Sequence, residues 1–379
     1  MKKLLSLALV LALLAGCAAA PVETPSTAPS TEPATVQTTV PAEPVKNLII
    51  IIGDGMGPNQ LEAGQLYAGK DYAFTSWPSV KVNTNSVTLE GQATVTTDSA
   101  ASATALATGT LTTNGTVGRD PEGKDLVTIL DIAKELGMAT GVVTSDLMSG
   151  ATPSGFSAHA ANRDDTDDIL RSQTTSGINL LCSNTTPAVS GVYTELTAAG
   201  YAYYDNIKKV SMEDEYAYWL FNMPESEKGD KLPQAATAAL DFLSKGPNGF
   251  VLMIEEAKID SGGHANDMRR TLNNMTRLAN TVDAVMEWIG DRTDTAVLIT
   301  ADHETGGLLL GAEGEYPNRC PCPDGTYFSY EFTTESHTPT PVWLFMYGYT
   351  PDLTPYLLEE GLIKNTSVFA IMEAYLREA

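Results

Sequence analysis

Basic residues are scarce in this 379-residue chain: 23 Lys and Arg stand against 47 Asp and Glu, giving a net charge of −24. Nucleic-acid binding normally needs a basic face, so the composition speaks against it. An anionic ligand would then require a locally positive site, most simply bound metal ions. Long apolar runs are missing as well. The run at 4–14 falls far short of the roughly 20 residues of a membrane-spanning helix. The Gly-rich turn Gly53-Asp54-Gly55-Met56-Gly57 lacks the spacing of the dinucleotide fingerprint and sets an acid where backbone should approach phosphate. No internal repeat is present. Histidine is limited to four positions, His159, His264, His303 and His337, and cysteine to Cys17, Cys182, Cys320 and Cys322.

The opening stretch MKKLLSLALVLALLAGC carries Lys2 and Lys3 before its short apolar run and reads as an export signal. Its ending, Leu14-Ala15-Gly16-Cys17, resembles a bacterial lipobox, which implies that residues 1–16 are removed and that Cys17 is lipidated. Several acyl chains would anchor the protein firmly, where one chain is marginal. The segment 18–44 is rich in Pro, Thr, Ala and Glu without apolar periodicity. It reads as an extended tether, so the body is expected outside the cytoplasm, held at a membrane. With Cys17 lipidated, an odd number of cysteines remains. The sequence leaves open whether one member of the turn-rich pair Cys320 and Cys322 bridges to Cys182, which would leave one thiol free, and two cysteines alone make a poor metal site.

From residue 46 to 379 the composition is globular, and no second linker interrupts it. Continuous apolar, β-branched runs at 47–52, 139–145, 249–254, 295–300 and 342–347 predict buried strands. Helical patterns lie between them at 99–107, 126–136, 233–243 and 271–289; in the last, Leu272, Met275, Leu278, Val282, Val285 and Ile289 mark one face. Strands buried on both sides indicate an α/β fold, doubly wound, with a mostly parallel central sheet and helices on both faces. The polar, Tyr-rich stretch 162–222 reads as an elaborated connection or cap.

Ligands of open α/β sheets bind beyond the carboxyl ends of the strands. The residues there are acids and imidazoles: Asp54 after the first run, Asp146 after the second, Glu255, Glu256, Asp260 and His264 after the third, Asp302 and His303 after the fourth. His337 stands just before the fifth. A lone His is more often structural than a ligand, but three of four His converge with Asp54, Asp260 and Asp302. Mixed imidazole and carboxylate donors suit zinc, and Asp, Glu and a Thr hydroxyl suit magnesium.

The stretch TDSAASATALATG, 97–109, supports two readings. Thr97, Asp98 or Ser99 simply caps an alanine-rich helix, or Ser99 sits at the positive end of that helix because an anion binds there. Arg163 likewise has a commoner role, a surface ion pair with Asp164 or Asp165.

Taken together and in order, Asp54-Gly55-Met56-Gly57, Asp98-Ser99-Ala100-Ala101-Ser102-Ala103-Thr104-Ala105, Thr152-Pro153 with Arg163, Glu255 to His264, Thr300-Ala301-Asp302-His303 and His337-Thr338 resemble the alkaline phosphatases, from about Lys46 to the end of the chain. The resemblance implies a metal-dependent phosphate monoester hydrolase acting through a phosphoserine, with two Zn2+ and one Mg2+. Ser99 would be the nucleophile and Arg163 the phosphate clamp, oriented by Asp98. Asp260, His264 and His337 would hold the first zinc; Asp54, Asp302 and His303 the second. Asp54 would bridge to a magnesium also bound by Thr152 and Glu255. A homodimer and small phosphorylated substrates are implied as well.

The chain departs from the pattern at two places. Gly150 stands where the family often carries Asp or His, which puts the third metal in doubt, and Ser261 leaves open a spot that a larger side chain can fill. His159 has no ligand role in the resemblance. The 33 residues between His303 and His337 leave room only for a small crown-like insertion. A non-catalytic lipoprotein binding phosphorylated ligands, and a phosphodiesterase of the same superfamily, are the alternatives. A decayed enzyme should have lost Ser99, Arg163 or a ligand, and none is missing.

Overall fold

The computed structural model describes residues 45–89, 93–184, 193–222 and 231–377. The export signal, Cys17 and the tether lie outside the described residues. The first apolar run forms the strand Asn47–Gly53, every residue of which is buried. It lies inside a ten-stranded sheet ordered Leu362–Lys364, Ser79–Asn83, Val342–Tyr347, Thr295–Thr300, Asn47–Gly53, Phe250–Glu256, Ala139–Thr144, Leu180–Ser183, Ala217–Leu220, Ala202–Tyr204. From Thr295–Thr300 to Ala202–Tyr204 all neighbours run parallel, as continuous β-branched runs require. Val342–Tyr347 alone runs against its neighbours.

Helices Pro58–Ala68 and Lys231–Leu243 each pack on Met268–Ile289, Ala151–Ser157 and Asn365–Arg377 pack on Ser99–Thr108, and both groups reach the strand Asn47–Gly53. The sheet is therefore covered on both faces. The Met268–Ile289 helix buries Leu272, Met275, Leu278, Val282, Val285 and Ile289, the stripe read from the sequence.

One expectation needs correction. The stretch 162–222 is no cap: it supplies the helix Thr166–Thr174 and the strands Leu180–Ser183, Ala202–Tyr204 and Ala217–Leu220, which extend the sheet. These strands are three or four residues long, so their apolar signal is diluted by polar loops. The pairing left open by the sequence between Cys182 and the 320–322 loop is not formed, since all three cysteines are free. Cys182 is packed in the main core, whereas Cys320 and Cys322 belong to a separate apolar cluster under the small sheet formed by Leu308–Gly311, Asn318–Pro321 and Tyr327–Phe332. That sheet fills the interval between His303 and His337.

Candidate metal centre

Parallel register sets the level of the site. Ile52 lies opposite both Thr300 and Glu255, and Thr144 lies opposite Glu255. Two residues further on, Asp54 and Asp302 therefore leave the sheet beside Glu255. Gly55 makes the exit turn with φ +77°, and a Cβ there would stand 2.6 Å from Asp260 Cα, so no other residue lets the two segments close up. The backbone seals the junction: Asp260 N–H donates to Asp54 O at 2.8 Å and Gly55 N–H to Asp302 Oδ1 at 3.1 Å.

Asp260 and His264 share one face of the helix Lys258–His264. A Cβ on Gly263 would meet Thr305 O at 2.6 Å; glycine there lets this helix lie directly on the segment after His303. His337, on a two-residue strand paired with Glu304–Thr305, completes the approach. Two groups of ligand-type atoms result, Asp260, His264 and His337 in one and Asp54, Asp302 and His303 in the other, each with its atoms within 4.8 Å of one another.

The hydrogen bonds of the three imidazoles orient them alike. His264 Nδ1 donates to Glu335 O at 2.5 Å, and His337 Nδ1 to Thr97 O at 2.9 Å. Thr305 Oγ1 gives its proton to Asp260 Oδ1 at 2.6 Å, so it accepts from His303 Nδ1 at 3.2 Å. Each ring thus turns its Nε2 into the cluster, the arrangement that second partners impose on metal-binding histidines. Burial first, tempered by Asp302, lowers the pKa of His303 and favours the neutral ring.

The acids are crowded beyond what hydrogen bonds can relieve. Burial, then the charges of Asp302, Asp260 and Glu255, push Asp54 well above the usual carboxylate range. Burial carries Glu255 to about 8 despite a bond from Thr144. Asp54 Oδ1, Asp302 Oδ2 and Thr152 Oγ1 are buried with no hydrogen-bond partner. Orphaned oxygens beside repelling carboxylates fit a cation site, because a bound cation satisfies both at once.

Ser99 opens the fully buried helix Ser99–Thr108, with Asp98 as its N-cap accepting from Ala101 N. The capping reading of this stretch is therefore correct, with Asp98 as the cap. Ser99 Oγ lies 3.2 Å from His303 Nε2, and Asp302 Oδ2 and Asp54 Oδ1 lie 3.2 and 3.8 Å from the same nitrogen. A nucleophilic triad would place the carboxylate on the opposite ring nitrogen. Here serine and both acids share one side, the geometry of ligands around a common centre.

Arg163 does not pair with Asp164 or Asp165. Its Nη1 donates to Asp98 Oδ2 at 3.1 Å, and Asp98 also accepts from Gly115 N at 3.0 Å. Although burial opposes it, Asp98 and then Asp54 and Asp302 raise the pKa of this side chain, 36% exposed, which sets it near the acidic cluster. His159 stands apart, bonded through Nε2 to Leu126 O. Sequence reasoning missed Thr305, which joins the two ligand groups, and Asn114, whose Oδ1 accepts from Asp98 N at 3.1 Å. A hydroxyl two residues beyond a His ligand was the only available hint of Thr305.

Known proteins resemble this chain in sequence and fold. The chain spans 64% of the length of the two Bacillus subtilis relatives named alkaline phosphatase 3 and 4, at 31% and 30% identity over 72% of its own length. It is 25% identical to the Escherichia coli alkaline phosphatase over 88% of this chain and 86% of that one. The alkaline phosphatase of the Antarctic bacterium TAB5 superposes with a TM-score of 0.76 at 25% identity, covering 90% of this chain and 99% of that one. A variant of the TAB5 enzyme was solved with Mg bound in its M3 site. The alkaline phosphatase family model matches residues 45–186 and 219–375, nearly all of the described body, and the chain belongs to the alkaline phosphatase family.

Proposed function

We propose that this protein hydrolyses phosphate monoesters through a phosphoserine formed on Ser99 and releases inorganic phosphate outside the cell. The observation that carries the reading is the convergence of Ser99 Oγ, His303 Nε2 and two buried carboxylates at one point, with Arg163 held on Asp98, the residue before Ser99.

Asp260, His264 and His337 would hold one Zn2+, and Asp54, Asp302 and His303 a second. Asp54, Thr152 and Glu255 would hold one Mg2+, although Gly150 supplies no side chain there. When bound, these cations supply Lewis acidity, lowering the pKa of a hydroxyl and countering negative charge on the transferring group.

The chain's own residues do the rest. Arg163 presents a planar fork to two phosphate oxygens, and Asp98 fixes its direction. Ser99 gives up its hydroxyl proton to solvent as Oγ attacks phosphorus in line with the ester oxygen; the P–O bond to the leaving group breaks, and that oxygen takes up a proton from solvent. Water then attacks phosphorus and gives up a proton, the serine oxygen departs and takes up a proton in turn, and phosphate leaves. The N-terminus of the helix Ser99–Thr108 favours the anion at each stage.

Hydrolysis of an aryl phosphate monoester and the matching diester, with and without EDTA, tests the reading for wild type and Ser99→Ala. Monoester activity should dominate and vanish on either treatment, and acid quenching of the wild type should trap phosphate on Ser99. Activity surviving both EDTA and Ser99→Ala would refute the mechanism. The leader and Cys17 support an exported, lipid-anchored enzyme; labelling with a fatty acid should be lost in Cys17→Ala. The family resemblance supports a homodimer, which sedimentation would test.

A further inference from the structure

A second cation lies next to the acidic cluster, and neither ligand group uses it. Lys258, at the start of the helix that carries Asp260, reaches back to Asp146, with Nζ 2.7 Å from Oδ1. The pair is largely covered, the lysine side chain being 21% exposed. Burial alone would lower the lysine pKa, but Asp146 raises it, with Glu255 and Asp54 adding in the same direction. The ammonium is therefore within electrostatic reach of both carboxylates assigned to the magnesium position.

Asp146 is tied to that position twice. Its N–H donates to Thr144 Oγ1 at 3.0 Å, and that hydroxyl donates to Glu255 Oε2. Its carboxylate lies beside the bare backbone of Gly150, where a Cβ would stand 3.5 Å from Oδ2. Thr152, two residues on, keeps its buried hydroxyl without a partner.

We propose that Asp146 is a restraint on Lys258, holding its ammonium off Glu255 so that a divalent cation can take the place between Glu255, Thr152 and Asp54. An unrestrained lysine on a flexible stem would occupy Glu255 and compete with the cation, since a buried acid takes the nearest available positive charge. Asp146 and Lys258 are positioning residues in this scheme, and the inference rests on the cation site proposed above.

The test is calorimetric titration of Mg2+ into zinc-loaded protein. Asp146→Asn keeps the backbone bond to Thr144 but frees the ammonium, and should weaken Mg2+ binding about tenfold or more. Lys258→Met removes the competitor and should bind Mg2+ at least as tightly as wild type. The double variant should return to the Lys258→Met value. This rescue separates restraint from ordinary support, because two halves of a merely structural ion pair would weaken binding in the same direction. Equal weakening by both single variants, or no effect of Asp146→Asn, would overturn the restraint while leaving the cation site standing. A zinc-loaded wild type that binds no Mg2+ would remove the site itself and the inference with it. Circular dichroism of each variant establishes that folding is intact.

Discussion

Replacing Thr305 by Val tests whether the two ligand groups are one device. The side chain is wholly buried, and valine matches its shape. The substitution removes the hydrogen bond to Asp260, which is worth about 1.5–3 kcal/mol because the acceptor is charged. It also strands the His303 Nδ1–H in a dry site, at a cost of about 1–3 kcal/mol. Burying a methyl instead of a hydroxyl recovers part of this, so the metal-free fold should lose about 2–4 kcal/mol. The backbone contacts of Thr305, including the bond its carbonyl accepts from Gln60 at 2.7 Å, survive. Zinc affinity, measured by competition with a chelator, should fall about 10–100-fold, the usual penalty for losing an outer partner of a ligand. Because Asp260 and His303 belong to different groups, both zinc steps should weaken together, and kcat/KM should fall with them. Thr305→Ser, which keeps the hydroxyl, should restore most of the loss. If zinc affinity and kcat/KM of Thr305→Val stay within about twofold of wild type, the hydroxyl bridge has no part in the site.

Packing and pH supply two further predictions. A Cβ on Gly155 would stand 2.7 Å from Ala103 Cβ and 2.9 Å from its carbonyl carbon, so Gly155→Ala must push apart the helices that begin at Ser99 and at Ala151. We expect a loss of about 1–3 kcal/mol in urea unfolding and reduced kcat; unchanged stability would contradict the packing described. In metal-free protein, the bond to Asp260 raises His264 to about 9 and burial carries Glu255 to about 8. Both values exceed the ordinary ones of 6.5 and 4.5, so the stability they give is full at low pH and is lost as pH rises through the folded values. The Tm of EDTA-treated protein should therefore fall between about pH 6.5 and 9, and cations, which favour ionised acids and neutral imidazoles, should flatten that fall. A metal-free Tm that climbs across this window would reverse the sign worked out here.

Much of the sheet is legible because its strands are long, continuous and β-branched. The strands at 295–300 and 342–347 begin and end where the apolar runs do. The three short strands between 180 and 220 escape, since four residues such as Leu180-Leu181-Cys182-Ser183 do not rise above the polar loops around them. The candidate ligands are legible for a simple reason: an acid or imidazole placed directly after a buried strand must emerge at the carboxyl edge.

Partnerships across the fold are a different matter. That Arg163 turns to Asp98 rather than to its neighbours depends on the loop around Gly115, whose carbonyl accepts from Arg163 N at 2.7 Å. That Lys258 reaches Asp146 depends on the parallel register of strands separated by more than a hundred positions. Residue order and hydrophobic pattern alone determined the α/β class, the strand ends and the chemical kind of each candidate ligand, because those follow from local periodicity. Only the tertiary structure decided which nitrogen each histidine turns inward, that Thr305 joins the two groups, and where the second cation is held. Hydrogen bonds between distant segments exist only once the register has brought their atoms to within about 3 Å.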